Sequence, residues 1–237
     1  MAVLWVDNQS GCKGVCARVP GVSTTAAAAT STDPALCRDG ECLDEIMLKR
    51  LDAQLAALPA ERRALGTLVV LHQMGSHGPA YALRSPASIK RFGPECQSRS
   101  LLDCSRQEIV DAYDNSILYT DHFLAATVHW LEARRAQADT AMVYVADHGE
   151  SLGENNLYLH GLPYAMAPDV QKRVPWITWL SPEFEARRHL STRCLQRRAD
   201  ERVSHDNYFH SVLGLLDVQT AAYAPAFDAY APCIAAP

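Results

Sequence analysis

The chain has 237 residues, long enough for one large α/β domain with a core of its own. It is 48% apolar and 21% charged, an ordinary globular composition, and its net charge of −5 argues against a non-specific nucleic-acid binder. No apolar run approaches the roughly 18 residues a membrane helix needs, and the N-terminus lacks the basic-then-apolar pattern of a signal peptide.

In chain order, Ala2-Val3-Leu4-Trp5-Val6-Asp7 reads as a buried strand, with Val3–Val6 as its centre. A chain opening inside a core strand is expected to be a piece of something longer. The Ala/Thr/Ser-rich stretch 23–32 is expected to be an exposed loop. Leu43, Ile46, Met47, Leu51, Leu55 and Leu58 form one apolar stripe of helical period. Asp44 and Glu45 stand early in it and Lys49 and Arg50 later, as the helix dipole favours. Thr67–Leu71 is a second strand candidate. Ser105-Arg106-Gln107-Glu108 fits a capping box, and the helix it opens has apolar positions Ile109, Tyr113, Ile117, Leu124, Val128 and Leu131. Met142–Ala146 and Pro175–Leu180 are the remaining strands. Arg187-Arg188 and Arg197-Arg198 read as solvated basic spots. Ser204 is expected to cap a last helix with Tyr208, Val212, Leu213 and Leu216 on its inner face. The tail after Val218 looks irregular. Strands alternating with helices predict a mostly parallel sheet covered on both faces, with functional groups at the carboxyl ends of its strands. No repeat and no second domain are evident, so residues 1–237 are read as one domain.

The eight cysteines fall as Cys12/Cys16, Cys37/Cys42, Cys96/Cys104 and Cys194/Cys233. An even count, mostly in local pairs, suggests disulfides pinning loops in an oxidising compartment, with short loop closure favouring nearest neighbours. The competing reading is a structural zinc site on Cys12, Cys16, Cys37 and Cys42, although the C-x₂-C knuckle spacing is absent.

Three histidines precede a glycine: His77, His148 and His160. Ser76-His77-Gly78 and Asp147-His148-Gly149 lie just past predicted strands, where glycine permits a sharp turn and close approach of a ligand. Asp147 and His148 offer an oxygen and a nitrogen donor, a combination that suits Zn²⁺. The bland alternative is a strand-end aspartate capping the next turn. His122, His129 and His210 on predicted helices, and His189 and His205 in polar surroundings, read as ordinary surface or packing residues. His72, at a strand end near His77, is left open.

The residues Asp147-His148-Gly149-Glu150-Ser151-Leu152-Gly153-Glu154-Asn155 and Tyr158-Leu159-His160-Gly161-Leu162-Pro163-Tyr164-Ala165 closely resemble a metal-site segment of bacterial phosphoethanolamine transferases. This family includes the chromosomal lipid A modifiers and the mobile colistin-resistance enzymes. Asp7-Asn8-Gln9-Ser10-Gly11-Cys12-Lys13-Gly14-Val15-Cys16 and His72-Gln73-Met74-Gly75-Ser76-His77-Gly78-Pro79 are similar to two further motifs of it. Cys37/Cys42, Cys96/Cys104 and Tyr113-Asp114-Asn115 also fall where the family has counterparts, and the match runs in order from Val3 to Leu216. The resemblance implies a three-layer α/β/α fold of the alkaline-phosphatase/sulfatase type, periplasmic and attached to an inner-membrane domain. It implies transfer of phosphoethanolamine from phosphatidylethanolamine to a lipid A phosphate through a phospho-threonine, with zinc as the cofactor. Asp147 and His148 match zinc ligands. His77 and His160 match histidines near the transferred group, where a second zinc is sometimes bound, and Lys13 and Glu150 match phosphoethanolamine-binding residues. Asp147 and His148 are expected within ligand distance of a common point at the carboxyl edge of the sheet, with His77 and His160 facing the same cleft.

The match also shows a departure. The family's glutamate ligand and nucleophilic threonine precede the Asp-Asn-Gln-Ser segment, which begins here at Asp7. Thr24, Thr25, Thr30 and Thr32 lie downstream of it and match no nucleophile motif. The chain is therefore expected to be N-terminally truncated and inactive by itself. The competing readings are another sulfatase-superfamily hydrolase or phosphoglycerol transferase, which the Lys13 and His160 segments disfavour, and a non-catalytic scaffold with disulfide-pinned loops.

Overall fold

A computed structural model of the chain describes residues 1–9, 11–23, 33–38 and 40–235. The expected exposed loop at 23–32, with its four threonines, thus falls almost wholly outside the described residues. The strands in chain order are β1 (Ala2–Asp7), β2 (Gly21–Ser23), β3 (Cys37–Arg38), β4 (Glu41–Cys42), β5 (Thr67–His72), β6 (Ala141–Val145), β7 (Ser151–Leu152), β8 (Tyr158–Leu159) and β9 (Trp176–Leu180). All four strands expected from the sequence are present. The chain divides into two compact units, Met1–Thr127 with Glu150–Leu159 and Val128–Gly149 with His160–Pro237.

In the first unit β1 is the middle of a parallel sheet ordered β2-β1-β5. Ala2, Leu4 and Val6 are buried on it, the mark of a strand covered by other layers. The register pairs Asp7 with His72, so the two side chains leave the carboxyl edge of the sheet at the same level. The apolar stripe 43–58 forms two short helices, Ile46–Lys49 and Leu51–Ala56, because Arg50 breaks the chain at φ −120°, ψ 10°. Met47 and Leu51 still reach the core. The long helix Arg106–Glu132 starts with the expected capping box: Ser105 N donates to Glu108 Oε2 at 2.7 Å and Glu108 N to Ser105 Oγ at 3.3 Å. The β7–β8 hairpin places Leu152 and Leu159 against a core of Tyr81, Cys96, Leu101, Ile109 and Ala112.

In the second unit β6 and β9 pair antiparallel, from Ala141 with Leu180 to Val145 with Trp176. The expectation of a mostly parallel sheet therefore holds for β2-β1-β5, whereas the second unit departs from it. Parallel neighbours need a crossover that carries the chain back along the sheet, and between β6 and β9 the described residues form only a 3-10 turn, Glu154–Asn156, and the short α-helix Asp169–Lys172. Helices Pro182–Arg188, Thr192–Arg197 and His205–Leu215 follow. Their core is Leu190, Leu215, Tyr230 and Cys233, packed by Val143, Trp176, Leu180 and Phe184. Tyr230 ties both edges of it, accepting from Trp176 Nε1 at 3.1 Å and bonding Thr178 Oγ1 at 2.7 Å.

Disulfides join Cys12–Cys16, Cys37–Cys42, Cys96–Cys104 and Cys194–Cys233, the nearest-neighbour set. The four cysteines of the competing zinc site are thereby taken up as disulfides. No helix among the described residues is long and apolar enough to cross a membrane.

Candidate functional site

In the second unit, the functional turn begins where β6 ends. His205 Nε2 donates to Ala146 O at 2.9 Å, fixing the last residue before Asp147. Gly149 is required here for space. A Cβ on it would fall 2.1 Å from the Val170 carbonyl oxygen, and its N–H donates to Gln171 O at 3.0 Å. His148 Nδ1 lies 3.0 Å from Gly149 O. A carbonyl only accepts, so Nδ1 carries the proton and the lone pair of the neutral ring sits on Nε2. That nitrogen is 3.8 Å from Asp147 Oδ1. Two ligands of one tetrahedral zinc, each about 2.0–2.1 Å from it, stand about 3.3 Å apart, so a small side-chain rotation brings the pair to coordinating distance. The ring of His160 lies against that of His148, with centroids 3.8 Å apart and planes at 31°. The Asp147 carboxylate and the His148 imidazole are donor types that suit Zn²⁺, and the His160 imidazole stands beside His148.

In the first unit, two buried carboxylates organise the loops that leave the sheet edge. Asp7 Oδ1 pairs with His72 Nδ1 at 2.5 Å, and its Oδ2 accepts from Gly11 N at 2.9 Å. Lys13, two residues on, is exposed in the turn closed by Cys12–Cys16 and has a left-handed backbone, φ 47°. A non-glycine residue in that region is uncommon, and the Cys12–Cys16 bridge closes the turn that holds it there. Asp44 accepts from Asn8 Nδ2 at 2.7 Å, Met74 N at 2.9 Å and Gly75 N at 2.9 Å, tying together the two loops that carry Lys13 and His77. Burial pushes its pKa up, against the pull of these three donors and of Arg84.

His77 repeats the arrangement of His148: its Nδ1 lies 2.7 Å from the carbonyl of the following Gly78. Buried Arg84 holds the same turn, donating to His77 O at 3.0 Å while paired with Glu41 at 2.7 Å. Glu150 is buried and its Oε1 accepts from Gly78 N at 3.4 Å. Burial raises the pKa of Tyr81, and the charge of Glu150 raises it further.

Of the residues singled out from the sequence, the structure sets His148 beside both Asp147 and His160 in the second unit, and Glu150 on the Gly78 amide of the His77 turn in the first. Lys13 stands on the loop anchored by Asp7. Sequence reasoning gave no positioning role to Asp7, Asp44, Arg84 or His205 and left His72 open. Asp7 and His72 carried a signal, since both end predicted strands. His205 sits beside Ala146 only in the folded chain, and Asp44 looked like a helix-dipole residue.

The sulfatase family profile matches residues 2–218. Phosphoethanolamine transferase EptA of Salmonella typhimurium is 42% identical over 98% of this chain and 41% of its own length. Phosphatidylethanolamine transferase Mcr-1 of Escherichia coli is 38% identical over 92% of the chain and 38% of its own length. The chain thus spans about two fifths of these curated relatives. The soluble domain of lipooligosaccharide phosphoethanolamine transferase A from Neisseria meningitidis superposes with a TM-score of 0.91 at 39% identity, over all of this chain and 68% of that one. The chain belongs to the sulfatase family and, within it, to the phosphoethanolamine transferases. Its fold is accordingly of the alkaline-phosphatase/sulfatase type.

Proposed function

We propose that residues 1–237 are part of the catalytic domain of a zinc-dependent enzyme that moves phosphoethanolamine from phosphatidylethanolamine to a phosphate of lipid A. This is the modification behind polymyxin and colistin resistance, and its setting is the periplasmic face of the inner membrane. The observation that carries the reading is the His148 ring, with its Nδ1 proton given to Gly149 O and its Nε2 beside Asp147 Oδ1.

Asp147 and His148 hold the ion, and His160 stands against His148 as a further imidazole. Zinc supplies a lowered nucleophile pKa and takes up charge on a phosphoryl oxygen. The chain's own groups do the rest. Lys13 offers a fixed cation to the phosphoryl group. His77 gives its Nδ1 proton to Gly78 O, which leaves Nε2 as the nitrogen for the transferred group or a second ion. Of the two roles open to Glu150, pairing with the ethanolamine ammonium or orienting a histidine, its bond to Gly78 N favours the second, exerted on the His77 turn. No threonine of the 237 matches the family's nucleophile motif, so the chain by itself transfers nothing.

Two measurements test this. Calorimetric zinc titration should find weak binding to the chain, further weakened about tenfold or more in Asp147→Asn and His148→Ala. Mass spectrometry of lipid A should find product only with a chain extended upstream through the family's Glu and Thr motifs, and none with that form carrying His148→Ala. Turnover by the 237-residue chain at the rate of the extended one would overturn the reading.

A further inference from the structure

We propose that the turn from Leu162 to Met166 is a lipid-contacting surface that seats in the headgroup layer of a phosphatidylethanolamine-containing bilayer. Leu162, Tyr164 and Met166 are 36, 81 and 71% exposed, three large apolar side chains within five residues. Their exposure is not that of a loose loop. Met166 N and Ala167 N both donate to Pro163 O, at 2.8 and 2.9 Å, and Ala167 and Gln171 just beyond are buried. The turn is tied at its base and presents its apolar tips outward. Contiguous exposed apolar groups with a polar rim mark interaction surfaces.

The chemistry of the rim selects the occupant. Lys172 Nζ lies 5.2 Å from the centre of the Tyr164 ring, and Lys172 and Arg173 share Asp169, at 3.9 and 2.8 Å, so the rim keeps one net positive charge. An amphipathic tyrosine beside lysine and arginine, with leucine and methionine ahead of them, has the composition of an interfacial anchor. Its apolar tips enter the acyl boundary while the cations stay level with the phosphates. A net charge of −5 gives the chain no general attraction to an anionic surface, so contact depends on this local insertion. The turn begins two residues after His160, whose ring lies against that of His148. A bilayer is chosen over a protein partner because donor and acceptor in the transferase reading are both membrane lipids, and to that extent the inference rests on that reading. It adds the segment of this chain that meets them.

The test is sedimentation of the 237-residue chain with vesicles of phosphatidylethanolamine and phosphatidylcholine, compared with the triple variant Leu162→Ser, Tyr164→Ser, Met166→Ser. The chain should pellet with vesicles and the variant should bind about tenfold less well or worse. The Tyr164→Trp variant should gain blue-shifted emission when vesicles are added. Circular dichroism of the triple variant checks that it folds. Equal binding by both forms, no binding by the parent, or concentration-dependent dimerisation that the triple variant abolishes would each overturn the proposal. Zinc titration of the triple variant should match the parent. Zinc binding absent from both with vesicle binding kept would count against the metal reading alone, whereas intact zinc binding without vesicle binding would count against this one.

Discussion

Asp44 is 4% exposed and accepts three hydrogen bonds, from Asn8 Nδ2, Met74 N and Gly75 N. A carboxylate accepts at both oxygens, and that is why an acid stands here at the cost of burying a charge. Asparagine has the same shape but only one acceptor oxygen. Whichever way its amide turns, an NH₂ faces at least one of the three donors, Gly75 N in one orientation and Asn8 Nδ2 with Met74 N in the other. Asp44→Asn is therefore expected to destabilise the protein by about 1–3 kcal/mol at neutral pH, although it removes a buried charge. Urea unfolding measures this, and a variant as stable as the parent would show that the loops do not depend on the carboxylate. From sequence, Asp44 next to Glu45 at the head of an apolar stripe looked like an acidic first turn. Its true partners lie 30 to 36 positions away, at Met74, Gly75 and Asn8, and local pattern cannot report contacts at that separation. His148 was legible for the opposite reason: the atoms that fix its tautomer belong to the very next residue.

Helices carried their start signals in the sequence more faithfully than their faces. The capping boxes at Ser105 and Ser204 both form. The long helix buries Ile109, Ala112, Asn115, Ser116, Tyr119, Phe123 and Thr127, whereas Ile117, counted on the apolar face, is 45% exposed. The buried face is half polar, so reading apolar residues alone shifts it. Asn115 gives the reason for one such residue. Its Oδ1 accepts from Arg91 N and Phe92 N at 2.8 and 3.0 Å, and its Nδ2 donates to Phe92 O and Glu95 Oε2, both at 2.9 Å. The Tyr113-Asp114-Asn115 motif thus secures a loop. In the last helix, Ser211 and Leu215 are the buried pair and Tyr208 is 39% exposed, its ring edge-on to Trp176.

The helix Pro182–Arg188 allows an element-scale prediction. Glu183 in its first turn takes both Arg135 Nε and Nη2, at 2.9 and 2.7 Å, and this hydrogen bonding lowers its pKa to about 2. A carboxylate whose pKa is depressed in the folded state adds stability above its ordinary value, near 4.5, and loses it as pH falls toward 2. Glu183→Gln should lower the melting temperature modestly between pH 5 and 7, with the gap closing as pH approaches about 2. A gap constant across that range, followed by circular dichroism, would mean that packing rather than charge is what the substitution removes.

At the scale of the whole chain, each of the four disulfides stays inside one unit: three in the first and Cys194–Cys233 in the second. They differ widely in the length of chain they close, from a sequence separation of 4 for Cys12–Cys16 to 39 for Cys194–Cys233. Chain-entropy reasoning gives about 2 kcal/mol for the shortest loop and about 4 kcal/mol for the longest. The short bridge shapes a turn, the one that holds Lys13 in its left-handed backbone. The long one fastens the irregular tail to the core of Leu190, Leu215 and Tyr230, where Cys233 is itself buried. Replacing both cysteines of a pair by alanine should therefore separate two effects. Cys194→Ala with Cys233→Ala should cost about 2 kcal/mol more in urea unfolding than Cys12→Ala with Cys16→Ala. The latter pair should cost about 2 kcal/mol and also loosen the Lys13 turn, read as faster amide hydrogen exchange from Gly11 to Cys16. Equal destabilisation by the two double variants would show that the tail is held by its packing, with the disulfide adding little.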